Sequence, residues 1–156
     1  FTAQNIGAGK PERVKRGFRS GLIMALLVAL PFTAVYCFLS SGVLTLFMDT
    51  ASVQAMQAGT DFLRIVTPFY LFIAVKLMAD GILRGAGAMK CFMVATFTDL
   101  VLRVVLAYLF SAEQGARGIW MSWPAGWGIA SVLSCVFYFT GVWIPKRFRI
   151  SFRQKT

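Results

Sequence analysis

The sequence contains no histidine, only six acidic residues, and three cysteines that lie far apart. The missing histidine removes imidazole-based acid–base catalysis and His-ligated metal sites from this chain. Cys37, Cys91 and Cys135 lack any metal-type spacing and read as small buried apolar side chains. Two long stretches lack Asp, Glu, Lys and Arg altogether, Ser20 to Met48 and Gly118 to Pro145. Each exceeds the roughly 20 apolar residues that cross a bilayer. Charged residues make up 14% of the chain and apolar ones 58%, against about a quarter charged in soluble domains. These absences exclude an ordinary soluble domain and imply an integral membrane protein.

The first residue is Phe rather than Met, and no signal peptide is visible. The expectation is a piece of a longer protein. The net charge of +10 would suggest nucleic acid in a soluble protein. Here the charge sits at the chain ends and in loops, so no nucleic-acid partner is expected.

The pattern predicts an all-α integral membrane fold with four spans. Span a runs over 18–48, ended by Asp49. Span b, 62–83, is interrupted by Lys76 and Asp80. Span c, 91–110, contains Asp99 and Arg103. Span d, 119–144, is ended by Pro145. Residues 1–20 read as the end of a preceding membrane helix plus a basic loop, and 145–156 as a basic tail. Backbone polar groups in lipid need partners within their own segment, so helices are required. Spans b and c are expected to face protein or a water-filled cavity. Pro31 and Pro68 are candidate hinges, or simple shape features, because each removes an intrahelical hydrogen bond. A kink is expected at Pro31.

Basic residues alternate with the loops. Lys10, Arg13, Lys15, Arg16 and Arg19 precede span a; Arg84 and Lys90 lie between b and c; Lys146, Arg147, Arg149, Arg153 and Lys155 follow d. Between them, the remaining loops, 49–61 and 111–117, hold only Arg117. The positive-inside rule then places the first segment, the b–c loop and the tail in the cytoplasm. Trp120, Trp123 and Trp143, with Tyr108 and Phe110, stand where interfacial aromatic belts are expected.

The opening GAGK is not a phosphate-binding loop. Gln4 stands where a Walker glycine is required and Pro11 follows the lysine. It is not a dinucleotide fingerprint either, since Glu12 takes the third glycine position. Gly7 and Gly9 instead suit a helix end at positive φ, and Pro11 suits the first turn of the next helix.

Four intramembrane ionisable residues are candidates for ion coupling or for lining a cavity: Lys76, Asp80, Asp99 and Arg103. Lys76 and Asp80, like Asp99 and Arg103, are spaced i,i+4 and share a helix face. Lys76 lies eleven residues before Gly87 and Asp99 twelve after it. At 1.5 Å per residue both fall roughly 16–18 Å from the turn, near the bilayer midplane. The spacing predicts an ion pair between them, with Asp80 free to serve Arg84. Helix ties and proton or cation coupling both remain open as roles. Gly17–Gly21 and Gly81–Gly85 have GxxxG spacing, which permits close helix contact or merely caps span ends. Met24, Met48, Met78, Met89 and Met93 read as core or lipid-facing residues, or as part of an adaptable cavity wall.

Three stretches carry a resemblance. AQNIGAGKPERVKRG (Ala3–Gly17), DGILRGAGAMK (Asp80–Lys90) and TDLVLRVVLAY (Thr98–Tyr108), followed by Gly118–Trp143, resemble ordered segments of the MATE (multidrug and toxic compound extrusion) transporters. The matching loop residues are Gln4, Asn5, Gly7, Gly9, Arg84, Gly85 and Gly87. The resemblance covers nearly the whole chain. It implies helices nine to twelve of a twelve-helix, two-lobe transporter, with the end of helix eight. It also implies missing N-terminal helices as partners and export of small organic cations from the bacterial inner membrane. The coupling ion would be Na⁺ or H⁺, with no other cofactor. A lipid-linked sugar flippase of the same superfamily and a stand-alone four-helix oligomer are the alternatives. Two departures follow. The position of a cation-binding Asp in some members is Ile73 here, and Ala88 replaces the acid of the family's GxGD segment.

Overall fold

Seven helices and one 3-10 turn build the described part of the chain, residues 1–47 and 52–145 of a computed structural model. The order is α1 (Thr2–Gly7), α2 (Pro11–Phe38), α3 (Ser40–Leu44), α4 (Val53–Val66), the turn Thr67–Phe69, α5 (Tyr70–Gly85), α6 (Met89–Gln114) and α7 (Ala116–Phe139). Four segments are long and apolar enough to cross a membrane: α2, α4 with α5, α6, and α7. The protein is an all-α, multi-pass membrane protein.

Both glycine loops fold by one mechanism. After α1, the Lys10 amide donates to the Asn5 carbonyl and the Gly9 amide to Ile6, with Gly9 at φ 68°. After α5, the Ala88 amide donates to Leu83 and the Gly87 amide to Arg84, with Gly87 at φ 77°. These are Schellman caps, which satisfy the carbonyls a helix end leaves open. Only Gly9 of the first pair takes positive φ. Gly7 is the last residue of α1 and does not.

Helix α2 starts at Pro11 rather than Phe18, with Pro11 in its first turn and Glu12 favourably near its N-terminus. Arg13, Lys15, Arg16 and Arg19 therefore lie on the helix and not in a loop. It ends at Phe38, and Leu39 leaves the helical region at φ −119°, ψ 23°. A short helix, α3, resumes at Ser40. The expected end at Met48 and Asp49 lies outside the described residues, as does the basic tail after Pro145. The 28 residues of α2 span about 42 Å, more than a hydrocarbon core. The helix runs unbroken through Pro31, which offers no amide to the Leu27 carbonyl. At Pro68 the α-helix does give way, to the 3-10 turn. The helical segment that contains span b runs over Val53–Gly85.

Helix α7 is the central element. It packs along α6 and α5 and touches α4, while α5 and α6 meet little. Buried residues make up 39% of its apolar window, against 11% for α6 and none for α2. The expectation that spans b and c face protein holds better for b, 22% buried, than for c, and span d is more buried than either. The reason is a small-residue stripe, Gly118, Ser122, Gly126, Ala130 and Ser134, all buried and four residues apart. Small side chains let neighbouring backbones approach closely.

The main core joins α1, α2, α5 and the end of α7 through Ile6, Val14, Phe18, Leu83, Tyr138 and Trp143. Phe18 stacks on Tyr138 at 4.1 Å, and Tyr138 lies parallel to Trp143 at 5.8 Å. The Trp143 indole N–H donates to the Tyr138 carbonyl at 2.9 Å. Trp143 is buried and is a core residue, not a free interfacial anchor. Gly17 and Gly85 leave room for Phe1 and Thr2 of α1, and Gly21 for Met78, whereas nothing crowds Gly81. Met24 and Met78 line a groove of about 760 Å³ beside these glycines.

Candidate coupling site around the central helix

Two ion pairs sit in the apolar interior, one on each helix flanking α7. On α5, the Lys76 ammonium donates to Asp80 Oδ2 at 2.6 Å. The Ser134 hydroxyl of α7 donates to Asp80 Oδ1, also at 2.6 Å. All three residues are buried. Ser131 adds a second clip, donating to the Phe72 carbonyl at 3.0 Å. Charge-assisted bonds of this length are strong, and both Asp80 oxygens are engaged.

On α6, Arg103 Nη2 donates to Asp99 Oδ2 at 2.7 Å. Asp99 is buried, yet its Oδ1 has no hydrogen-bond partner, and neither has Arg103 Nε. Oδ1 faces the bare Cα of Gly126, where an added Cβ would stand 2.8 Å from it. The guanidinium lies over the rings of Trp123 and Trp127, 5.1 and 6.0 Å from their centroids. Such placement attracts a cation to the ring face.

The expected Lys76–Asp99 pair does not form. Each residue takes the partner one turn along its own helix. Depth along the membrane put the two at one level, but α7 packs against both helices and its Ser134 and Gly126 meet the two carboxylates. Nor does Asp80 serve Arg84: Arg84 is exposed and lies over Phe92 at 5.1 Å. The family-motif residues Gln4, Asn5, Gly7, Gly9, Arg84, Gly85 and Gly87 all lie in or beside the two capped loops, away from the ion pairs. Asn5 closes its own helix by donating to the Phe1 carbonyl at 2.8 Å.

Three features escaped the sequence reading. One is the stripe of small residues on α7, legible as a four-residue period. Another is a chain of ring contacts, Tyr36–Tyr70–Trp127–Trp123–Phe62–Trp120, with neighbouring centroids 5.8–6.4 Å apart. It draws Trp120 and Trp123 into the packing between α4 and α7. The third is an exposed pair, Arg117 to Asp61 at 2.6 Å, which ties α7 to α4. Arg64 lines the same polar pocket and is a further charge within span b.

A family model, MatE, matches residues 1–109, from α1 into the last turns of α6. The chain belongs to the MatE family. Among MatE relatives, the probable multidrug resistance protein NorM of Pseudomonas aeruginosa is 30% identical over 138 residues, covering 85% of this chain. The probable multidrug resistance protein YpnP of Bacillus subtilis is 30% identical over 144 residues, covering 92% of this chain. The chain spans 27% and 32% of the lengths of these two relatives. A third, the probable NorM protein of Thermotoga maritima, is 25% identical over 140 residues. No solved structure matches the chain. Both buried ion pairs fall within the stretch matched by the MatE model.

Proposed function

We propose that this chain is the C-terminal part of a secondary multidrug antiporter. It exports organic, often cationic compounds across a bacterial inner membrane in exchange for Na⁺ or H⁺. The supporting observation is that a family whose matched relatives are named for multidrug resistance aligns through both buried carboxylates. A buried carboxylate beside a cation is the kind of group that trades one positive charge for another. Aromatic faces suit organic cations for the same electrostatic reason that they hold Arg103.

In this reading the partners are the lipid bilayer and the remaining helices of the two-lobe transporter. Alternating access rocks one lobe against the other around a central cavity. The first segment, the α5–α6 turn and the tail face the cytoplasm. A flippase for a lipid-linked pyrophosphate needs several unpaired cations in its cavity. Lys76 and Arg103 are already paired with carboxylates, so the structure does not favour that reading. Four crossing helices do not enclose a two-lobe cavity. The complete transporter in liposomes is expected to move ethidium under an imposed Na⁺ or H⁺ gradient, and the 156-residue chain alone to move none. Robust efflux by the chain alone, or none by the complete protein under either gradient, contradicts the proposal.

A further inference from the structure

We propose that Asp99 is the carboxylate that takes up and releases a coupling proton, while Asp80 stays ionised as a structural tie. The inference rests on the antiporter reading and names the site and the ion within it. It comes from an asymmetry between two pairs that look alike in sequence.

Asp80 has no vacancy. Oδ2 accepts from Lys76 and Oδ1 from Ser134, both at 2.6 Å, at 2% exposure. Protonating it would strand the Lys76 ammonium, itself 6% exposed, in an apolar interior. An uncompensated buried charge is strongly destabilising. Among the described residues, no ring face lies against the Lys76 ammonium to take over from the carboxylate.

Asp99 differs on both counts. Its Oδ1 is buried and lacks a donor, although the residue is only 8% exposed. An ionised acceptor without a partner is costly in such a place. A proton on Oδ1 neutralises that oxygen and leaves the Oδ2 bond to Arg103 possible. Arg103 is also not stranded when Asp99 is neutral. Its side chain is 28% exposed and lies over Trp123 and Trp127. Cation–π contact with the two indoles offsets part of what the cation loses when the carboxylate is neutral.

Among the described residues, no charge other than Arg103 is close enough to pair with Asp99. From α7 come Gly126 and the indoles. The titratable Cys135 and Tyr138 lie more than two turns further along, Cys135 in a groove with Phe72 and Val75 and Tyr138 in the core. From α5, Lys76 and Asp80 are closed on each other, and Arg117 of α7 is paired with Asp61 of α4. The proton is a better fit than Na⁺. A proton needs one lone pair and no volume, whereas a sodium ion needs several oxygens. Oδ1 instead meets the Gly126 Cα and a helix carrying a guanidinium. The step balances simply: carboxylate plus proton gives carboxylic acid, and the Asp99–Arg103 pair changes from neutral to +1. A +1 site repels an organic cation and a neutral one admits it, so proton and drug exclude one another, as antiport requires.

The test compares wild type, Asp99→Asn and Asp80→Asn in the complete transporter. Asn keeps the shape and an acceptor for Arg103 but does not titrate. In liposomes under a pH gradient, Asp99→Asn, whose site is fixed at +1, is expected to lose driven ethidium efflux and to bind ethidium weakly at every pH, whereas wild type binds it better as pH rises. Infrared difference spectra on acidification are expected to show the carbonyl band of a protonated carboxylic acid in wild type and in Asp80→Asn, but not in Asp99→Asn. Indole fluorescence is expected to shift over the same pH range in wild type and not in Asp99→Asn. Undiminished pH-driven efflux in Asp99→Asn overturns the proposal, as does a band that survives that substitution. Should wild type move nothing under either gradient, the antiporter reading falls, and the infrared band alone then decides for or against Asp99.

Discussion

At Asp80 two donors converge on one carboxylate, and removing it exposes what it holds. Asp80→Ala leaves a buried ammonium and a buried hydroxyl without their acceptor. Breaking such a pair costs about 3–5 kcal/mol, so thermal unfolding in detergent should begin at a clearly lower temperature. The double change Lys76→Met with Asp80→Leu should recover much of that loss, because a buried ion pair and an apolar pair of like volume are often similar in stability. Gly126→Ala presses a methyl group on Asp99 Oδ1, whereas nothing lies within 4 Å of a Cβ at Gly128. Gly126→Ala should therefore impair gradient-driven transport and Gly128→Ala should not, in the same liposome assay. At this scale the sequence was partly legible. The i,i+4 spacing marks both ion pairs, and the apolar flanks mark them as intramembrane. The cross-helix pairing was not legible, because depth along a membrane does not say which third helix stands between two others.

Among the elements, α7 shows how a helix with no charge beyond Arg117 in its first turn becomes the centre of the bundle. Its packing face is read from residue size rather than polarity: Gly118, Ser122, Gly126, Ala130 and Ser134 recur every four positions. Ala130→Leu should drive α7 away from its neighbours and lower thermal stability. Val132→Leu, at a position 64% exposed, should leave it unchanged. The two Schellman turns make a second contrast. Gly87 needs positive φ and Gly7 does not, so Gly87→Ala should cost about 1–2 kcal/mol and Gly7→Ala little, by the same unfolding measurement. The glycine loops were legible because their chemistry is local. The ends of α2 were not. A run without Asp, Glu, Lys or Arg continues past Phe38, and hydropathy carries no information on where the backbone hydrogen bonds stop. The change of helix type at Pro68, but not at Pro31, likewise depends on packing that a proline alone does not report.

For the whole molecule, the exposed faces carry the argument. α2 presents Ile23, Met24, Leu27 and Val28, and α6 presents Phe97, Leu100, Val101 and Val104, each about half exposed or more. Contiguous apolar faces of this kind belong against lipid or other helices. The same holds for a chain spanning 27–32% of its first two relatives. Composition alone made the membrane class legible, and the order of weak motifs made the family legible. The central role of α7 required the packed structure. All of it depends on four crossings that return the basic segments to one side. The most direct measurement is cysteine labelling in intact cells with a membrane-impermeant maleimide. Arg16→Cys, Lys90→Cys and Gln114→Cys would each be made in a background lacking Cys37, Cys91 and Cys135; all three sites are exposed. The account predicts that position 114 labels from outside while 16 and 90 label only after permeabilisation; labelling of 16 and 90 from opposite faces would contradict it.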